Sequence, residues 1–247
     1  MIGLAIITYS RPGYLEQVLR SIDNVNSLDY VKVFIDYKDD YTQDELVYHC
    51  LTYGVHFIRA PKNMGVAHMK NLALKDMMKE GVEHLFLMED DILIKDPEVF
   101  EKYISSAKNQ GVEHLNFAHH GPANKDYYCV YKGFTCYPNV VGAFSYYTKN
   151  CVEKAGYFDE DYFNAYEHVD HTERISRIGL TCPFWYFADC YDSQILLEEI
   201  PGSIERSSIR QRNDWGTNVI NAQRTSIKKK GYYLPPYPKP YHVFKRK

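Results

Sequence analysis

The residues best suited to chemistry in this 247-residue chain meet at one point, Glu89-Asp90-Asp91. His84-Leu85-Phe86-Leu87-Met88 runs straight into these three acids, and Ile92-Leu93-Ile94 follows at once. A short apolar run bounded in this way reads as a buried strand. Three adjacent carboxylates at its end repel one another unless a cation sits among them. Mg²⁺ and Mn²⁺ prefer oxygen ligands, keep one or two protein carboxylates, and fill their other positions with water and phosphate oxygens. The triplet therefore reads as a metal held at a strand end and offered to a phosphorylated ligand. A surface turn that happens to be acidic is the competing reading, and the neighbouring elements have to decide.

Two other clusters carry chemistry. His119-His120 could ligate a metal, although an exposed loop pair is the commoner explanation. Glu167-His168-Val169-Asp170-His171-Thr172-Glu173-Arg174 reads as the start of a helix stopped by Gly179, with acids at the N-terminus where the helix dipole favours them. The six cysteines form no Cys-x-x-Cys pair, which argues against a zinc ribbon or redox motif. Cys50, Cys151 and Cys182 sit in apolar patterns and read as buried thiols.

The elements that must position these residues follow a regular pattern. Strands are expected at Ile2–Ile7, Val31–Ile35, Val55–Ile58 and Leu85–Met88. Helices alternate with them: one opening at Pro12 with Leu15, Val18, Leu19 and Ile22 on one face, one over Gln43–Tyr53 with Leu46, Val47, Cys50 and Leu51 inward, one carrying Val66, Met69, Ala73 and Met77, and one after Asp96-Pro97. This alternation specifies a parallel sheet wrapped by helices, with ligands at the carboxyl ends of the strands. Thr8-Tyr9, Asp36, Asn63-Gly65 and Glu89-Asp91 all fall at such ends. Four polar groups on one rim outweigh the acidic-turn reading. The Asn63-Met64-Gly65 turn could also present backbone amides to phosphate.

Beyond residue 118 the pattern loosens. Residues 119–139 read as irregular or a β-hairpin, 140–147 as a strand, Thr148 as the cap of a short helix ending at Gly156, and 183–187 as another strand. Residues 206–247 hold eleven Lys or Arg against one acid, Asp214, and end in a proline- and tyrosine-rich run. Three readings of this tail stand: a solvated, partly ordered extension, a dock for an anionic membrane surface or nucleic acid, or a segment whose Arg206, Arg210 and Arg212 close over a diphosphate. The first has most weight, since charge runs usually face water. Formal net charge is -3, so the whole molecule is not built as a polyanion binder. The apolar amino terminus is short, lacks a basic lead and reads as a strand rather than a signal peptide. No apolar run approaches the roughly 20 residues of a membrane span. The expectation is a reducing, cytoplasmic setting.

The order of motifs resembles the GT-A fold glycosyltransferases, most closely the family 2-like inverting enzymes. Ala5-Ile6-Ile7-Thr8-Tyr9-Ser10-Arg11-Pro12 looks like that family's opening strand and loop. Asp36 stands where the family places an acid on the nucleotide base. Asn63-x-Gly65-x-Ala67-x-x-Lys70-Asn71 is similar to its N-x-G-x-a-x-a-R-N signature, with Lys70 in place of arginine. Glu89-Asp90-Asp91 corresponds to its D-x-D motif, which implies Asp91 as direct metal ligand. Val141-Gly142-Ala143-Phe144 and Ala155-Gly156-Tyr157-Phe158-Asp159-Glu160 look like its acceptor-side segment. The resemblance covers residues 2 to about 180.

It implies an α/β GT-A domain over 1–205, with a nucleotide-sugar-binding half at 1–118 and an acceptor half at 119–205, followed by a basic extension at 206–247. The implied activity is transfer of a hexose or N-acetylhexosamine from a nucleotide-diphosphate sugar, with a UDP-sugar as first expectation, to a glycan or other hydroxyl acceptor. Mn²⁺ or Mg²⁺ is the implied cofactor, and Thr8, Tyr9, Arg11, Asp36, Asn63, Gly65, Lys70, Asn71, Glu89 and Asp90 are the implied donor-binding set. Family members carry Glu-Asp at the start of the last helix, with that Asp as catalytic base; here the pair reads Glu167-His168. The base therefore lies among Asp170, Glu167 and His168. Asp170 is the first choice and Glu167 the next, because a carboxylate suits the task. His168 or His171 could instead complete the metal shell or contact the acceptor. A catalytically inactive sugar-nucleotide-binding relative and a sugar nucleotidyltransferase are the alternatives. The second lacks its expected Gly-rich loop after the first strand.

Overall fold

A computed structural model describes residues 1–38, 40–121, 124, 129–131, 133–182 and 187–234. The first half alternates as expected: β1 (Ile2–Thr8), α1 (Pro12–Ile22), β2 (Tyr30–Ile35), α2 (Thr42–Thr52), β3 (His56–Arg59), α3 (Val66–Lys79) and β4 (His84–Glu89). Next come β5 (Ile92–Ile94), α4 (Val99–Gln110) and β6 (His114–Asn116). A hairpin of β7 (Cys129–Tyr131) and β8 (Phe134–Tyr137) precedes β9 (Phe144–Thr148), α5 (Lys149–Ala155) and α6 (Glu167–Arg177). The last described elements are β10 (Phe187–Asp189), β11 (Leu197–Glu199) and α7 (Trp215–Lys230).

The main sheet has the order β3-β2-β1-β4-β9-β6. Its first four strands are parallel, and β9 runs antiparallel between β4 and β6. The strands of its centre are apolar on both faces because helices cover both. Leu4 and Ile6 of β1 join a core with residues of α1, α2 and α4, while Ala5 and Ile7 join the opposite core with α3, α5 and α6. Phe86 of β4 anchors the first core, with ring centroids 4.9 Å from Phe100 and 4.9 Å from Tyr146. Burying one such side chain stabilises by about 1.5–3 kcal/mol.

The chain passes from β3 to β4 across the sheet, so β1 and β4 flank the point where strand order reverses. That is where a ligand crevice opens at the carboxyl ends of a doubly wound sheet. The register sets Ile7 beside Glu89 and Thr8 beside Ile35, which brings the rim residues level.

Several expectations need correction. Leu51 of α2 is 67 % exposed and Val47 is only partly buried. The inward stripe of α2 instead runs through Thr42, Gln43, Leu46 and Cys50. The strand expected at 140–147 begins at Phe144. Of the strand expected at 183–187, residues 183–186 lie outside the described residues, and β10 starts at Phe187. Thr148 caps α5 as expected, its hydroxyl accepting from the Cys151 amide at 3.0 Å.

The basic tail adds a further helix to the fold. Residues 215–230 form α7, which packs Ala222 against Tyr162, Ala165 and Val169. Lys229 pairs with Asp159 and Asp161, and Lys230 pairs with Asp170 and Glu173. These lysines neutralise acids of the same chain rather than presenting charge to a polyanion. The proline-rich residues 235–247 lie outside the described residues. All six cysteines are free thiols, and five of them are buried. Among the described residues no helix is long and apolar enough to cross a membrane.

Candidate active site

The carboxyl end of β1 and that of β4 are stitched together by polar contacts. The Thr8 hydroxyl donates to Asp90 Oδ2 at 2.6 Å. Arg11, just before α1, donates to Asp90 and, at 3.1 Å, to Asp91 Oδ2. The carboxylate repulsion read from the sequence is thus relieved by a guanidinium of the same chain. Burial pushes Asp90 up to about 6 against the pull of Arg11. Burial also opposes the Asp91 anion, but His120 and Arg11 outweigh it and hold that carboxyl at about 2. Of the two, Asp91 is the more readily ionised.

Asp91 Oδ1 and His120 Nε2 are both buried and have no hydrogen-bond partner among the described residues. The His120 nitrogen lies 3.6 Å from Asp91 Oδ2 and 3.7 Å from Glu199 Oε1. Burial opposes a charge on this imidazole, and Asp91 followed by Glu199 outweighs it, so its pKa is raised. The Asp91 carboxylate and, once its proton is released, the His120 imidazole suit Mn²⁺, which accepts both donor types. Among the described residues no three His, Cys, Asp or Glu side chains are grouped to enclose a metal. The donor set therefore fits an ion completed by ligand oxygens and water, not a closed structural site.

The Asn63–Gly65 turn is built differently from its expectation. Asp36 accepts from the amides of Tyr37 at 2.9 Å, Met64 at 2.8 Å and Gly65 at 3.0 Å. The Val66 amide donates to Asn164 Oδ1 at 3.2 Å. These amides are spent inside the fold, so they are not free for phosphate. An ionised carboxylate has about four lone-pair positions, which leaves Asp36 little capacity beyond the turn it holds. Gly65 has φ +82°, and a Cβ there would sit 2.6 Å from the Phe163 ring. It is a packing glycine.

Lys70 and Asn71, expected to touch the donor, are both buried. Lys70 is 1 % exposed, and its ammonium reaches Glu89 Oε1 at 2.8 Å, Glu167 Oε1 at 3.2 Å and the Gly142 carbonyl at 3.2 Å. Burial opposes its charge, yet Glu89 and Glu167 raise its pKa further. Asn71 clamps the Phe158 backbone through both its amide and its carbonyl, and also donates to Glu160. Both residues position their neighbours.

The three candidate bases part company. Asp170 is buried, donated to by Arg174 at 2.9 Å and paired with Lys230 at 2.6 Å, and it does not line the cleft. Its spacing on α6 turns it toward α7. Glu167 and His168 do line the cleft, and His168 Nδ1 lies 3.0 Å from Glu167 Oε1. Burial disfavours the Glu167 anion, but His168 and Lys70 outweigh it and hold the carboxyl well below the usual range. His171 is fully buried, with Nε2 2.8 Å from the Gly156 carbonyl and its ring against Phe158. That removes it from both metal and acceptor.

The cleft has a volume of about 410 Å³, within the range of small-molecule sites, and runs from Tyr9, Glu89 and Asp91 to Glu167 and His168. A smaller recess beside it is lined by Thr8, Tyr9, Arg11, Asp36, Asn63 and Glu89. Residues 203–210 wall the cleft, and Ile209 and Arg212 wall the recess. The Arg206 guanidinium lies 5.9 Å from the Tyr14 ring centroid, and Arg212 forks onto Asp214 at 2.8 and 2.9 Å. Of the three arginines in the third reading of the tail, Arg210 lines the cleft and Arg212 the recess, and Arg206 lines neither. Ser10 (φ 54°) and Tyr166 (φ 66°) hold left-handed backbone at its edge. Such non-glycine residues cost about 1–2 kcal/mol each and tend to gather at functional sites.

Sequence reasoning missed Asn164, the packing role of Gly142 and, apart from its arginines, the 203–212 wall. Asn164 and the wall have no periodic or motif signal, whereas Gly142 stands in a motif whose packing partner only the fold reveals. No protein-family model matches this sequence, and no curated protein does. Solved structures match its shape. A mannosyltransferase from Pyrobaculum calidifontis, PcManGT, solved with GDP-mannose and Mn²⁺, matches with a TM-score of 0.63 and 16 % identity, over 97 % of this chain and 67 % of that one. TarS of S. aureus matches with a TM-score of 0.57 and 12 % identity, over 93 % of this chain and 73 % of that one, and the same values hold for its complex with UDP. At such identities the likeness shows the fold alone, and that fold is GT-A: a mixed α/β domain whose mostly parallel central sheet is flanked by helices.

Proposed function

We propose that this chain is a glycosyltransferase that moves a sugar from a nucleoside-diphosphate sugar to an acceptor hydroxyl, with inversion, in the manner of the family 2-like enzymes it resembles. The observation that carries the reading is the buried Asp91 Oδ1 just after β4, without a hydrogen-bond partner among the described residues, on a side chain that lines the cleft together with His120. Asp91 and His120 would hold Mn²⁺ or Mg²⁺ there. That ion, when bound, neutralises charge on the departing diphosphate. The recess beside it, with Tyr9, Asp36 and Asn63, takes the nucleoside. Arg11 keeps Asp90 and Asp91 in place, and Arg212, over the recess, lies where a diphosphate would meet it. Glu167 and His168 line the opposite part of the cleft, where the acceptor hydroxyl loses its proton. A base and a leaving group on opposite faces of the sugar invert the anomeric centre.

PcManGT was solved with GDP-mannose and Mn²⁺ and TarS with UDP, which supports a nucleotide-sugar donor over the nucleotidyltransferase alternative. The test is release of free nucleotide from UDP-glucose, UDP-N-acetylglucosamine and GDP-mannose with Mn²⁺. Release that disappears in EDTA and in Asp91→Asn supports the reading. Release unaffected by either refutes the metal role, and no release with any donor and acceptor mixture refutes the transferase.

A further inference from the structure

We infer that His168, not a carboxylate, removes the acceptor proton, with Glu167 as its positioning partner and Lys70 as the brace behind Glu167. The inference rests on the transferase reading and identifies its base.

Three observations converge on His168. Its side chain is 26 % exposed and lines the cleft, whereas the Glu167 side chain is 4 % exposed and Asp170 is outside. Its Nδ1 lies 3.0 Å from Glu167 Oε1. The ionised Glu167 can only accept, so Nδ1 carries the proton of the neutral ring and Nε2 presents its lone pair. The ring is also wedged against Gly142: a Cβ at that glycine would fall 2.7 Å from His168 Cγ. The Gly142 carbonyl in turn accepts from Lys70 at 3.2 Å, and Lys70 reaches Glu167 Oε1 at the same distance. Backbone, lysine and glutamate thus fix both the ring plane and its tautomer.

The rival carboxylates are poorly placed for the task. Glu167 shares one oxygen between Lys70 and His168, and an anion so stabilised takes up a proton weakly. Asp170 is committed to Arg174 and Lys230. In the proposed step the acceptor oxygen attacks the anomeric carbon, and its proton passes to His168 Nε2. The bond from that carbon to the diphosphate oxygen breaks, and its electron pair leaves with the nucleoside diphosphate. The imidazolium then returns its proton to water.

Two measurements test this. In histidine-¹⁵N-labelled protein at pH 8, long-range ¹H–¹⁵N correlations should show His168 protonated at Nδ1 and bare at Nε2. Glu167→Gln, whose amide can donate as well as accept, should let the Nε2–H form appear. In Mn²⁺-dependent nucleotide release, His168→Gln should lower kcat by about 10²–10⁴-fold with little change in KM. The thermal stabilisation by UDP or GDP with Mn²⁺ should persist in that variant. An Nε2–H tautomer in the wild-type protein, or a kcat loss below about threefold in His168→Gln, overturns the assignment. If Asp170→Asn instead abolishes turnover while nucleotide binding persists, the base is Asp170 and the assignment is wrong. If the wild-type protein shows no Mn²⁺-dependent stabilisation by either nucleotide, the transferase reading fails, and the base assignment falls with it.

Discussion

Lys70→Met isolates the buried charge cluster that joins the acidic strand end to the candidate base. The ammonium sits 2.8 Å from Glu89 and 3.2 Å from Glu167, and its side chain is 2 % exposed. Methionine approximates its length without the charge, so the loss is electrostatic rather than a large cavity. Glu167, also buried, keeps only the His168 Nδ1 hydrogen bond. Removing one partner of a buried ion pair costs about 3–5 kcal/mol. For a chain of this size that lowers Tm by roughly 6–20 °C. The penalty depends on pH in a defined sense. Glu167 is held below its ordinary value in the folded protein, so it adds stability above its unfolded value of about 4.3, lost as pH falls through the folded value. Without Lys70 the buried carboxylate rises, and protonation relieves it. The gap between wild type and variant should therefore be wider at pH 8 than at pH 5. Urea unfolding followed by circular dichroism at both pH values measures it. Lys70→Met/Glu167→Gln should recover part of the loss, with a coupling of about 1–3 kcal/mol. A penalty below about 1 kcal/mol, a gap independent of pH, or simple additivity would refute the reasoning.

Other perturbations follow from single contacts. Gly65→Ala must accommodate a Cβ 2.6 Å from the Phe163 ring at φ +82°, and should destabilise by about 3 kcal/mol in urea titration. Asp189 accepts from Tyr103 at 2.6 Å, Ser193 at 2.6 Å, and the amides of Ala118 at 2.8 Å and Cys190 at 2.7 Å. Asp189→Asn sets an amide donor among those donors and should cost about 2–4 kcal/mol by the same measurement. His120→Ala should weaken Mn²⁺ binding by about 10–100-fold in calorimetry with UDP present, while leaving Tm within a few degrees.

The parallel half of the fold was legible because its strands and helices repeat with distinct periods and stop at Gly or Pro. Thr8, Asp36, Asn63 and Glu89–Asp91 could be placed on one rim because a parallel sheet fixes which strand ends face together. Less legible was whatever depends on tertiary pairing. Lys70 and Asn71 match a donor-binding motif, but the fold turns them inward onto Glu167 and Phe158. Asp170 looked like the base by residue type, yet one turn of helix separates it from the cleft and delivers it to Lys230. The partners of the basic run after residue 205, Asp159, Asp161 and Glu173, lie 57 to 70 residues earlier in the chain. No local pattern signals such pairs.

Thermal denaturation of wild type and Asp91→Ala, each with UDP or GDP and with Mn²⁺ or EDTA, bears most directly on the claim that Asp91 and a metal together receive the diphosphate. A nucleotide at about 100-fold over its Kd stabilises by roughly 2.7 kcal/mol, or about 5–11 °C for a protein of this size. The account predicts that rise for at least one of the two nucleotides with Mn²⁺ in the wild-type protein, and its loss in EDTA or in Asp91→Ala. A rise of the same size in Asp91→Ala or in EDTA, or no rise with either nucleotide and Mn²⁺ in the wild-type protein, would contradict it.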